Sequence, residues 1–210
     1  MKPALFNTEM VRAILDGRKT ETRRVVKPQP KYAAMTQAGL LTSDNPITLE
    51  NGLVVTKSGS VTILDKLPYC PGDILYVRET FFEYKGRYYF KADGKHEELD
   101  KMGICFKWHP SIHMPKEAAR LILRVKDVRV ERLQDIDYDG CKAEGIRDDY
   151  KTHSEQYHDV LARRAYPVVF SELWDSTIKP ADLDLYGWAA NPWVWVIEFE
   201  RVTREEAENG

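Results

Sequence analysis

From Trp193 to Phe199 the chain places Trp193, Trp195, Ile197 and Phe199 on one face of an extended segment and Val194 and Val196 on the other. Period two with both faces apolar predicts a strand in the middle of a sheet. Near the N-terminus the period changes. Leu5-Phe6 reads as a short strand, and Met10, Val11, Ile14 and Leu15 recur at helical spacing behind a cap at Asn7 or Thr8, until Gly17 ends the helix.

The middle of the chain predicts mostly strands. Pro71-Gly72-Asp73 is a turn feeding the apolar run Ile74 to Val77, and Phe81 to Phe90 is an aromatic hairpin around an exposed Lys85-Gly86 tip. Ala119 to Leu133 alternates Leu121, Leu123, Val125, Val128 and Val130 with charges, as a long strand or a strand pair with one wet face. Asp135 or Asp137 caps a short helix through Ala143 that ends at Glu144-Gly145. Ser154 caps a longer helix reaching Ala165, and Pro167 begins another through Phe170, Leu173 and Trp174. Thr203 to Gly210 reads as a charged, frayed tail.

Residues 29–66, rich in Pro and Gly, read as an insertion or lid in which Leu53 to Val55 and Val61 to Leu64 pair as a hairpin. Residues 93–115 form an extended loop. With no internal repeat, the whole span 1–210 is expected to be one α+β domain, a β-barrel with flanking helices and loop insertions.

Composition narrows the function. The 31 basic and 33 acidic residues give a formal charge of −2, so no global field draws the protein onto nucleic acid and any such contact must be local. Three widely spaced cysteines, Cys70, Cys105 and Cys141, fit a reducing compartment and a cytoplasmic protein. No stretch approaches the ~20 apolar residues that span a bilayer.

Against this background Gly17-Arg18-Lys19-Thr20-Glu21-Thr22-Arg23-Arg24 stands out, because it lacks any apolar residue where a helix hands over to a strand. Such a position suits a binding or catalytic loop. On a regular strand Lys19 and Thr22 fall on opposite faces, so they meet only if the turn after Gly17 curls. Arg78-Glu79-Thr80, at the end of an apolar strand, is a second polar cluster, either a substrate contact or an internal ion pair. The third is the loop holding Trp108 and Ser111, where Trp108 either stacks on a base or anchors the loop. Cys105, His109 and His113 share a three-residue spacing, but Pro110 breaks the helix that would align them on a metal; neither a metal nor another cofactor is expected, and Cys105 reads as a small core residue.

The first cluster resembles the signature of the ASCH domain superfamily, a PUA-like β-barrel fold with the pattern Gly-x-Lys-x-x-Glu-x-Arg. Gly17, Lys19 and Arg24 match it, and Thr22 stands where many members carry glutamate. The small bacterial ASCH proteins that deacetylate N(4)-acetylcytidine also carry threonine there, and their lysine–threonine–glutamate triad implies Lys19, Thr22 and Glu144 here. Pro71 to Thr80 and Asn191 to Ile197 resemble the longer ASCH-like proteins of phages and prophages, so the likeness spans most of the chain.

The resemblance implies an amidohydrolase acting on an acylated cytosine nucleoside or nucleotide, with Arg24, Arg78, Glu79, Trp108 and Ser111 as substrate contacts. Two chemistries fit. Thr22 attacks the acyl carbonyl while neutral Lys19 takes its proton; alternatively, charged Lys19 polarises the carbonyl while Glu144 activates a water. An ordinary lysine is neutral in only about one molecule in two thousand at pH 7, so the first route needs a lowered pKa. Two further readings are a non-catalytic binder of RNA or modified nucleic acid and a ribonuclease.

Overall fold

The computed structural model describes residues 1–27, 29, 48–50, 53–55, 61–62, 68–94, 96–101, 103, 105–147 and 155–209. In chain order the strands are β1 (Lys2–Leu5), β2 (Glu21–Val25), β3 (Thr48–Glu50), β4 (Leu53–Val55), β5 (Val61–Thr62), β6 (Ile74–Arg78), β7 (Phe81–Tyr84), β8 (Arg87–Phe90), β9 (Ile122–Arg132) and β10 (Trp193–Val202). The α-helices are α1 (Thr8–Leu15), α2 (Glu97–Lys101), α3 (Tyr138–Ala143), α4 (Glu155–Thr177), α5 (Leu183–Tyr186) and α6 (Arg204–Asn209). The architecture is α+β around a five-stranded mixed sheet of order β1-β6-β9-β10-β2.

β10 lies between β9 and β2, pairing antiparallel with both, and its two apolar faces serve two cores. Trp193, Trp195, Ile197 and Phe199 join Val11, Ile14, Leu123 and Val125, whereas Val194 and Val196 meet Tyr166, Phe170 and Trp174 of α4. β9 is one strand of eleven residues. Its apolar positions change parity between Val125 and Val128 because the register shifts opposite Glu198/Phe199, leaving Lys126 as the extra residue of a bulge. β7 and β8 form the aromatic hairpin, with Lys85 and Gly86 both at positive φ and exposed at its tip. β3, β4 and β5 form a small antiparallel sheet within 29–66, and most of that segment lies outside the described residues.

The sheet's edge strands approach each other. The Arg24 guanidinium on β2 donates to the carbonyl of Leu5 on β1 at 2.7 Å and lies 5.2 Å over the Phe6 ring.

Two expectations are corrected. The helices assigned before Ala165 and after Pro167 are one helix, α4, with Pro167 inside it. Proline removes one backbone donor and costs helix stability, but burial of Tyr166, Phe170 and Trp174 against β10 holds the helix across that point. Ser154 lies outside the described residues. The C-terminal tail is also helical: Thr203 and Glu206 form a reciprocal capping box, with Thr203 N to Glu206 Oε2 at 2.7 Å, and Arg204 donates to Ala119 O at 3.0 Å.

Candidate active site

The polar cluster is shaped by the end of α1. Asn7 caps that helix through Met10 N, and Gly17 leaves it at φ +73°. Arg18 N and Lys19 N then both donate to Ala13 O, at 2.9 and 3.0 Å. The chain therefore curls before the strand begins, and Lys19 pairs with Glu144 in an isolated antiparallel bridge, reinforced by Thr20 N donating to Ala143 O at 2.8 Å.

Glu144 arrives as the C-cap of α3, whose first turn is closed by the Asp137 side chain accepting from Gly140 N at 2.7 Å. The next residue, Gly145, sits at φ +93° against Ala13 and Lys19; a Cβ there would lie 2.8 Å from Ala13 Cβ and 3.1 Å from Lys19 Cβ. Only glycine satisfies both the dihedral and the space.

Lys19 and Glu144 are almost wholly buried, at 3% and 5% exposure. Lys19 Nζ donates to Glu144 Oε2 in a short contact and to the Glu144 carbonyl at 2.9 Å. The other carboxylate oxygen, Oε1, accepts from Arg23 N at 2.7 Å and from Arg23 Nη1 at 3.4 Å. Arg23 is itself buried and lies 3.5 Å from both Glu21 and Glu131, carboxylates that Arg129 bridges at 2.8 and 2.6 Å.

These surroundings set the charges. Burial pushes the Lys19 ammonium below the ordinary lysine value; Glu144 opposes that shift, whereas Arg24 and Arg23 add to it. Burial alone would raise Glu144, but the charges of Lys19 and Arg23, with the hydrogen bonds they donate, hold it below the ordinary glutamate range.

Lys19, Thr22, Arg24 and Glu144 line one cleft of about 520 Å³, with Thr80 and Ser111 entering from the hairpin and the loop opposite. That volume is within the range of small-molecule sites. Phe6, Phe170, Leu173 and Trp174 provide apolar wall. Thr22 is 6% exposed, and among the described residues its hydroxyl has no hydrogen-bond partner.

The remaining candidates lie off this cleft's lining. Arg78 donates to Ile112 O at 3.1 Å and lies 5.7 Å over the Tyr76 ring. Glu79 is fully buried and accepts two bonds from Arg120, both at 2.9 Å, which is the internal ion pair. Trp108 packs between Phe106 and His96, with ring centroids 5.1 and 5.2 Å away. Cys105 is exposed, contrary to its reading as a core residue, because the loop that carries it runs over the surface. Among the described residues no group of three or more His, Cys, Asp or Glu could hold a metal ion, and none of their helices is long and apolar enough to cross a membrane.

The Glu79 pair yields a direct test. Arg120→Met leaves a carboxylate buried without its partner and is expected to lower stability by about 3 kcal/mol at pH 7. Burial already holds the Glu79 carboxyl above its ordinary value, so the loss should shrink toward pH 5 as that group takes up a proton. Urea melts at the two pH values check it.

Arg23 is the functional residue that sequence reasoning passed over. In the sequence it is one residue of the polar cluster, and nothing in its spacing marks it as the second holder of Glu144. The chain matches no family model, no curated protein and no solved structure.

Proposed function

We propose that this chain is an amidohydrolase that removes an acyl group from the exocyclic nitrogen of an acylated cytosine nucleoside or nucleotide, built on a PUA-like ASCH barrel. The observation that carries the reading is the convergence of Lys19, Thr22 and Glu144 on one cleft from a turn, a strand and a helix end. The approach of the two edge strands through Arg24 and Leu5 supports the barrel.

The directions of the two shifts favour the first of the two chemistries. Glu144 has both oxygens engaged and a lowered pKa, which makes it a weak base, whereas Lys19 is shifted toward losing its proton. Lys19 is therefore the general base and Glu144 its holder. Neutral Lys19 takes the Thr22 proton as Oγ1 attacks the acyl carbon, and the resulting ammonium stabilises the oxyanion. The C–N bond then breaks, and Lys19 returns the proton to the cytosine nitrogen. A water, deprotonated by Lys19, cleaves the acyl-threonine; the proton goes back to Thr22 and the carboxylate product leaves. Arg24, exposed in the cleft, holds the ribose.

Wild-type protein incubated with N(4)-acetylcytidine should release cytidine, and Thr22→Ala should lose at least about 100-fold in rate. The rate should rise with pH as Lys19 deprotonates, with its midpoint below the ordinary lysine value of ~10.4. No cytidine release by the wild type overturns the reading. Salt-sensitive retention of intact RNA would instead indicate a binder, and RNA cleavage a nuclease.

A further inference from the structure

A second cavity, of about 470 Å³, adjoins the cleft, and Met10 of α1 and Leu173 of α4 line both. The bridge between Lys19 and Glu144 is the partition. Those two residues line the cleft, while their chain neighbours Arg18, Gly145, Ile146 and Arg147 line the second cavity.

We propose that this second cavity is a phosphate subsite, so that the acylated cytosine is presented as a nucleotide with its base in the cleft and its phosphate against Arg147, Arg18 and Arg12. This assignment rests on the amidohydrolase reading for what fills the cleft. Three arginines line the cavity, and Glu9 is the one acidic residue among its described lining residues.

The three arginines are differently prepared. Arg18 is anchored by Gly145 O at 2.6 Å and Asp16 Oδ2 at 3.0 Å. Arg12 donates to Ala92 O at 2.8 Å and Lys91 O at 3.3 Å, both neutral acceptors. Arg147 is exposed and, among the described residues, has neither a hydrogen bond nor an ion pair.

Two fixed cations, with Arg147 unpaired among the described residues, form a site that loses little side-chain entropy on binding. The planar guanidinium fork matches phosphate oxygens in pairs. The floor of Ile146, Val169 and Leu173 keeps water off one side, which strengthens each charge contact. In a chain of net charge −2, this local cluster supplies the attraction for an anionic substrate that the whole molecule lacks. Nothing in the deacylation uses Arg147, and no structural contact among the described residues accounts for its place in the cavity.

The test compares kcat/KM for N(4)-acetylcytidine, its 5′-monophosphate and a short oligoribonucleotide carrying the same base. Wild type should prefer a phosphorylated substrate by about tenfold or more. Arg147→Glu should erase that preference with nucleoside turnover unchanged, and Glu9→Gln should enlarge it. Preference for the monophosphate over the oligonucleotide identifies a free nucleotide as the phosphate source; the reverse identifies RNA. Equal wild-type values for nucleoside and both phosphorylated substrates, or a preference that survives Arg147→Glu, overturn the subsite.

If nothing is hydrolysed, the amidohydrolase reading has failed and the subsite is judged by calorimetry. Cytidine 5′-monophosphate should then bind wild type at least about tenfold more tightly than cytidine, and Arg147→Glu should abolish the difference. Equal binding of the two overturns it.

Discussion

Lys19→Arg should fold and should not turn over. The guanidinium keeps the positive charge beside Glu144 but does not release its proton near neutral pH, so the cleft retains an ion pair and loses its base. A positioned general base is worth about 10²–10⁴ in rate, and on the proposed route the same group is also the acid toward the leaving nitrogen. A loss of at least about 10³-fold is expected in cytidine release. Wild-type turnover by Lys19→Arg would remove Lys19 from the proton transfers.

Lys19→Met separates chemistry from folding. It leaves the Glu144 carboxylate, 5% exposed, with Arg23 alone, and removing one member of a buried pair costs about 3–5 kcal/mol. Adding Glu144→Leu should recover part of that stability, because it removes the unpaired carboxylate but leaves the buried Arg23 N without its acceptor, while activity stays lost. The sign of the pH dependence follows from Glu144. Its folded pKa lies below the ordinary glutamate value of ~4.3, so its contribution is complete above that value and disappears as pH falls through the folded one. The acid limb of a stability profile should therefore flatten in Lys19→Met/Glu144→Leu.

The second large effect is at Gly145. A side chain at φ +93° costs about 1–2 kcal/mol. Its Cβ would also press on Ala13 Cβ at 2.8 Å and Lys19 Cβ at 3.1 Å, and overpacking of this kind adds about 1–3 kcal/mol. Gly145→Ala should thus lose about 3 kcal/mol, or about 6–12 °C in Tm for a chain of this size. On the proposed mechanism it should also cut turnover more than tenfold, since the alanine pushes directly on the stem of Lys19. Gly17→Ala is the control. Gly17 has a similar φ of +73°, but nothing lies within 4 Å of an added Cβ, so only the dihedral cost of about 1–2 kcal/mol applies. Equal losses in the two variants would sink the argument from crowding.

Much of the frame could be read from local pattern. The capped α1, the two-faced β10 and the Lys85-Gly86 turn each express a rule that acts within a few residues, and each stands in the structure. Two features carried signals that the sequence reading left unused, the first inside a stretch rightly read as a long strand. The parity change from Val125 to Val128 is the mark of a bulge, and Thr203 followed by Glu206 is a capping pattern. Pro167 is different, because the local rule points to a helix start and only the burial of Tyr166, Phe170 and Trp174 against β10 overrides it.

The cluster from Gly17 to Arg24 shows where the division lies. Its composition alone established a polar turn at a helix–strand junction, since propensity, capping and period depend on neighbours along the chain. Whether Lys19 and Thr22 line one cleft depended on the turn in which two amides share Ala13 O, and whether Lys19 is shifted toward losing its proton depended on a carboxylate 125 residues away and on how far water is excluded from both. Charge, desolvation and distance are properties of the folded neighbourhood, so the tertiary structure decided them.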